Sequence, residues 1–101
     1  MGRDEAKSGA GRQERRTVYY TGRVQGVGFR YSARSVAQQF DVTGFVRNLD
    51  DGRVQIVVEG SASEIDAFLK RIAEEMGRHI RSADVSKSEA SGEFDAFEIE
   101  R

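Results

Sequence analysis

The sequence predicts an α+β domain: a two-layer sandwich in the order β-α-β-β-α-β, with two helices on one face of an antiparallel sheet of four to five strands. Three observations carry this reading. Two apolar stripes repeat at helical spacing, over residues 29–40 and 65–76. Runs rich in β-branched and aromatic residues, at 17–21, 43–48 and 53–59, read as strands. Asp51-Gly52 lies between two of those runs, where an Asp-Gly pair marks a hairpin.

Met1 to Glu14 has almost no large apolar residues and no periodicity. A disordered tail is expected over 1–14, and a folded domain over 15–101. Thr17-Val18-Tyr19-Tyr20-Thr21 makes the first strand, and Gly22 ends it. Gly22, Gly26 and Gly28 form a glycine-rich loop. Phe29, Ala33, Val36, Ala37 and Phe40 then fall at helical spacing and predict a helix over 29–40. Asp41-Val42 turns the chain into a strand from Thr43 to Asn48, with Phe45 and Val46 on opposite sides.

After the hairpin, Val54, Ile56 and Val58 share one face of a strand from Arg53 to Glu59, while Gln55 and Glu59 point the other way. Ser61 and Glu64 match a capping box. Ile65, Phe68, Leu69, Ile72, Ala73 and Met76 form the stripe of the second helix, which Gly77 stops. His79 to Ser86 is expected as a more polar strand around Ile80 and Val85, and Ser88 to Gly92 as a loop. Phe94 to Glu100 closes the chain, with room for a split last strand. The order is that of a ferredoxin-like fold.

Composition narrows the chemistry. The chain has 101 residues, sixteen Lys+Arg against seventeen Asp+Glu, one His, and no Cys, Pro or Trp. Without Cys there are no disulfides, thiolate nucleophiles or Cys-based metal sites. A lone His79 excludes sites that need two His ligands and any triad that spares it. No metal and no cofactor are expected. No run approaches the roughly 18 apolar residues of a membrane span, and the charged, glycine-rich start lacks the apolar core of a secretory signal. A soluble cytoplasmic protein is expected, with no membrane partner. The near-zero net charge argues against a dedicated nucleic-acid binder. Yet charge is uneven: residues 1–53 carry ten Lys/Arg and six Asp/Glu, and residues 54–101 carry six and eleven. The basic half is where an anion site is expected.

Gly22-Arg23-Val24-Gln25-Gly26-Val27-Gly28-Phe29-Arg30 runs from a strand end into a helix start. A helix N-terminus leaves backbone N–H groups free and carries partial positive charge. Glycines let the preceding loop turn its own amides inward as an anion nest. Arg30 opposes the helix dipole, which suits it to a bound phosphate. Two familiar glycine motifs do not fit. No Gly-x-x-x-x-Gly-Lys-Ser/Thr run exists, and Tyr31 stands where the dinucleotide fingerprint needs its third glycine. Glycine count alone does not separate an anion loop from a tight structural turn.

The fuller string does. Residues 22–30, with Gly44-Phe45-Val46-Arg47-Asn48, Asp51-Gly52-Arg53-Val54 and the closing Gly92-Glu93-Phe94-Asp95-Ala96-Phe97-Glu98-Ile99, closely resemble the acylphosphatase family. The resemblance spans Arg15 to Arg101. It implies that the loop Gln25, Gly26, Val27, Gly28, Phe29 and Arg30 cradles phosphate with backbone N–H groups. It implies that Arg30 binds the phosphoryl oxygens and that Asn48 orients the attacking water. Arg23 matches a motif position without a catalytic role. Two departures stand out: Phe45 where relatives often have Trp, and Ala90-Ser91-Gly92 where they often have Pro.

The implied reaction hydrolyses a carboxyl–phosphate anhydride to a carboxylate and inorganic phosphate. The leaving carboxylate needs no protonation, so few acid/base groups are required. A small-molecule acyl phosphate is the expected substrate, inorganic phosphate the product and competing ligand, and the enzyme a monomer. A mere phosphate binder would need Arg30 but not Asn48. Other residues have plainer readings. Asp50 and Asp51 suit hairpin geometry. His79 reads as a strand-end residue, and Tyr19, Tyr20 and Phe45 as core rather than an RNA-stacking sheet.

Overall fold

The computed structural model describes residues 12–101. Most of the tail expected over 1–14 therefore lies outside the described residues. In chain order the elements are β1 (Glu14–Gly22), α1 (Phe29–Ala37), β2 (Val42–Asn48), β3 (Val54–Gly60), α2 (Ala62–Met76), a 3₁₀ turn (Gly77–His79), β4 (Ile80–Glu89) and β5 (Phe97–Glu100). β1 thus starts inside the stretch expected as tail, because Glu14, Arg15 and Arg16 pair with both β3 and β4.

The five strands lie in the order β4-β1-β3-β2-β5. β1 is antiparallel to β3 and β4, and β3 is antiparallel to β2. The last strand is split, and its two pieces occupy opposite edges of the sheet. The β2–β5 pair is parallel, which corrects the expectation of an all-antiparallel sheet. Connection length explains it. Residues 90–96 cross the sheet at the end where β4 finishes, too short to return to the other end. β5 must therefore start from that end, beside the start of β2, where Gly44 N–H donates to Ala96 O at 3.0 Å.

The helices cover one face. Val18, Tyr20, Val46, Val54, Ile56 and Val58 from the sheet pack with Phe29, Ala33 and Val36 of α1 and Ile65, Phe68 and Ile72 of α2. Each fully buried side chain of this kind contributes roughly 1.5–3 kcal/mol. β3 is buried on both faces, Gln55 and Glu59 included, because residues 91–94 and Arg15 close over the sheet's outer side. α1 stops at Ala37 rather than Phe40. The N–H groups of Gln39 and Phe40 bond three residues back to Val36 and Ala37, tightening the last turn.

The capping box forms by half. Ser61 Oγ accepts from Glu64 N–H at 3.3 Å, but the Glu64 carboxylate accepts from Asp41 N–H at 2.7 Å and so ties α2 to the turn before β2. Ala73 is exposed, outside the stripe expected to hold it. Among the described residues no helix is long and apolar enough to cross a membrane.

Candidate active site

The end of β1, the start of α1 and the end of β2 meet at one end of the sandwich. The loop between β1 and α1 is pinned by two buried side chains. Val24 is fully buried, and Phe29 packs against Tyr20 with ring centroids 5.0 Å apart and planes tilted by 52°. Between these anchors, Gly26 and Gly28 take φ of +80° and +79°. A Cβ at either would meet nothing within 4 Å, so backbone conformation, not crowding, demands glycine here.

Gly28 is the N-cap of α1, with no side-chain cap and no acidic residue in the first turn. Among the described residues the start of α1 therefore has no side-chain cap and no first-turn acid to offset its positive end. Arg30 stands in that first turn, half-buried, with no carboxylate within 4 Å among the described residues.

These groups enclose a recess of about 130 Å³ lined by Val24, Gly26, Gly28, Phe29, Arg30, Tyr31 and Asn48. Asn48 arrives from the last position of β2. Its Oδ1 is buried and has no hydrogen-bond partner, the one such side-chain atom among the described residues. An orphaned buried acceptor of this kind costs about 1–3 kcal/mol unless a donor fills it. Here the donor would have to come from whatever enters the recess.

Of the residues singled out in sequence, Gly26, Gly28, Phe29, Arg30 and Asn48 meet in the recess. Gln25 and Val27 do not line it. The Val27 side chain faces solvent. Gln25 Nε2 turns away and donates to the main-chain carbonyls of Leu49 at 2.8 Å and Arg53 at 2.9 Å. Tyr31 was not singled out for the site, yet its exposed ring stands at the rim. The available signal was a large aromatic directly after Arg30 on the polar side of a predicted helix.

Asp50 and Asp51 take no part. Asp51 serves the hairpin, its carboxylate accepting from Arg53 N–H at 3.1 Å and Arg53 Nε at 2.9 Å. No cluster of three or more His, Cys, Asp or Glu side chains able to hold a metal exists among the described residues.

A family model described as Acylphosphatase matches residues 16–99. An acylphosphatase of Acaryochloris marina is 45% identical over 85 residues, covering 80% of this chain and 87% of that protein. One of Paenarthrobacter aurescens is 44% identical over 87 residues, covering 84% of this chain and 92% of that protein. Among solved structures, an acylphosphatase from Bacillus subtilis matches with a TM-score of 0.78 at 29% identity, covering 87% of this chain and 99% of that one.

Proposed function

The chain belongs to the acylphosphatase family and is an acyl phosphate hydrolase, and on that premise we propose how its own residues carry out the reaction. Arg30 and the free amides of the loop Gln25–Arg30 hold the three non-bridging phosphoryl oxygens. Asn48 holds the attacking water. The observation that carries this reading is the buried, unpartnered Oδ1 of Asn48 in the same recess as Arg30. An amide oxygen accepts a hydrogen bond from water and leaves a lone pair on the water oxygen free to point at phosphorus.

The chemistry asks for little else. Water oxygen bonds to phosphorus, the bond from phosphorus to the acyl oxygen breaks, and the carboxylate leaves with its electron pair. The water proton passes to a phosphoryl oxygen of the substrate, since an amide is no base. Phosphoryl transfer is chiefly positioning and charge stabilisation, and a guanidinium with backbone dipoles supplies both. Each preorganised donor of this kind is worth about 10²–10³ in rate.

The working domain is taken as residues 15–101, close to the 16–99 matched by the family model. On this reading the enzyme is a monomer acting on a small molecule, with inorganic phosphate as product and competing ligand. The same reading places the enzyme in the cytoplasm and uses no metal.

Steady-state hydrolysis of benzoyl phosphate, with inorganic phosphate as competitor and a chelator as control, tests these roles. Arg30→Ala should lose phosphate inhibition and turnover together. Asn48→Ala should lose turnover by about 10²-fold or more while inhibition by phosphate is kept. Full activity in Asn48→Ala would remove the water-holding role, and loss of rate with chelator would contradict a metal-free reaction.

A further inference from the structure

A second cleft opens at the same end of the sandwich, where β1 finishes and the 3₁₀ turn leads into β4. It holds about 210 Å³ and is lined by Gly22, Arg23, Arg78, His79, Ile80 and Arg81. No carboxylate lines it. We propose that this cleft is a second phosphate-group site, separate from the recess at Arg30.

Arg15, Arg16, Arg47, Arg53 and Arg71 each lie within 4 Å of a carboxylate. Arg23, Arg78 and Arg81 have no such partner among the described residues, although acidic residues outnumber basic ones in the chain. Arg30 and Arg34 also lack a carboxylate partner among the described residues, but the cleft gathers three such arginines in one concavity. Three like charges gathered in one concavity repel one another, and an anion entering it relieves that repulsion. Guanidinium forks favour a phosphate, whose oxygens they can grip in pairs.

The backbone fixes the cleft. The β1–β4 register shifts between Thr21 and Gly22, which sets Gly22 opposite Ile80. Arg23 N–H donates to His79 O at 2.9 Å. A Cβ on Gly22 would lie 2.4 Å from that same oxygen, so only glycine lets the strand end approach the turn. The close approach sets Arg23 beside Arg78 and Arg81 without help from a ligand.

Position relates the cleft to catalysis. Arg23 lines the cleft, and its neighbour Val24 lines the recess. Two sources of the phosphate group fit: free inorganic phosphate, or a phosphate monoester at the far end of the substrate's acyl chain. The second source rests on the hydrolytic reading above.

Two measurements on the full chain decide. The first follows backbone amide signals by NMR as inorganic phosphate is added. Free phosphate as ligand shifts residues 78–81 along with the catalytic loop, and the Arg78→Ala/Arg81→Ala variant loses the 78–81 response alone. The second compares benzoyl phosphate with an acyl phosphate whose chain ends in a phosphate monoester. Two exposed charge pairs are together worth roughly three- to tenfold in affinity. The double variant should therefore raise KM for the doubly phosphorylated substrate by that factor, less at high salt, with benzoyl phosphate unchanged. A response in either arm supports the site and names its source. Silence at 78–81 together with equal KM values in variant and parent overturns it. If the unaltered chain fails to hydrolyse benzoyl phosphate, the hydrolytic reading falls while the NMR arm still decides the cleft.

Discussion

The side-chain amide of Gln25 donates to the main-chain carbonyl of Leu49 at 2.8 Å, joining the anion loop to the residue that follows Asn48. The same nitrogen reaches Arg53 O across the hairpin neck, at 2.9 Å. The loop that would hold phosphate and the strand end that would hold water are thereby set in one register. Both carbonyls keep another partner when Gln25 is removed, since Gly52 N–H donates to Leu49 O and Leu49 N–H to Arg53 O. Gln25→Ala should then cost only about 1 kcal/mol of stability. Loosened alignment should cost more in rate, with kcat down about tenfold or more and phosphate inhibition nearly kept. Equal losses in phosphate affinity and kcat would assign Gln25 to binding rather than alignment.

Gly28 offers a test of the loop's conformation apart from its charge. Its φ of +79° is left-handed, while a methyl group there would meet no neighbour. Gly28→Ala therefore probes backbone strain alone, at about 1–2 kcal/mol. If the strain is relieved by rotating the peptide, the amides turn out of the nest and phosphate inhibition weakens. Thermal unfolding and phosphate inhibition, measured together, separate strain kept from strain relieved. A variant with unchanged melting and unchanged inhibition would show that the left-handed geometry is not needed.

Much of this was legible in sequence because local rules and tertiary needs agreed. Apart from the exposed Ala73, the stripe from Ile65 to Met76 reads correctly, as do the Asp51-Gly52 turn and the shared face of Val54, Ile56 and Val58 in β3, and each is a short-range pattern. The parallel β2–β5 pair was not legible, since it follows from where residues 90–96 cross the sheet. The burial of Glu59 was hidden for the same reason: the amides that satisfy it come from Ser91 and Gly92, more than thirty residues away. Arg30 stood out by its place in the first helical turn after the glycine loop, whereas Asn48 stood out only through the longer motif string. The orphaned Oδ1 of Asn48 and the turn of Gln25 toward the hairpin carbonyls are properties of packing that no spacing rule encodes. The grouping of Arg78 and Arg81 with Arg23 likewise needs the β1–β4 register.

Tyr31 lines the recess and is 62% exposed, so its ring is open to the acyl group of a substrate held there. Its ring offers a flat apolar face. A ring against a ring is worth about 0.5–1.5 kcal/mol. Tyr31→Ala should raise KM for benzoyl phosphate by roughly two- to tenfold, leave acetyl phosphate nearly unchanged, and leave kcat alone for both. An equal rise for both substrates would mean that Tyr31 supports the loop rather than the acyl group.

Glu59 sets an acid limit on the fold. Its desolvation is the largest single influence and pushes its carboxyl up. The amides of Ser91 and Gly92, the Arg15 guanidinium and the Ser91 hydroxyl together outweigh that push and hold the group below its ordinary 4.5. A folded-state value below the unfolded one means the unfolded chain binds the proton more readily. The resulting stability is fully present above pH 4.5 and is lost as pH falls through the folded-state value. Glu59→Gln keeps the shape but removes the charge that holds Arg15 and the 91–94 crossing. It should lower stability by about 1–3 kcal/mol at neutral pH. The difference in melting temperature between parent and variant should hold steady from neutral pH down to about pH 5 and shrink below 4.5. Glu93, also held low by Ser91 and Arg15, changes stability in the same direction, but it is exposed and present in both proteins. A difference that stays constant down to about pH 3 would mean that neutral contacts, not the carboxylate, hold the crossing on the sheet.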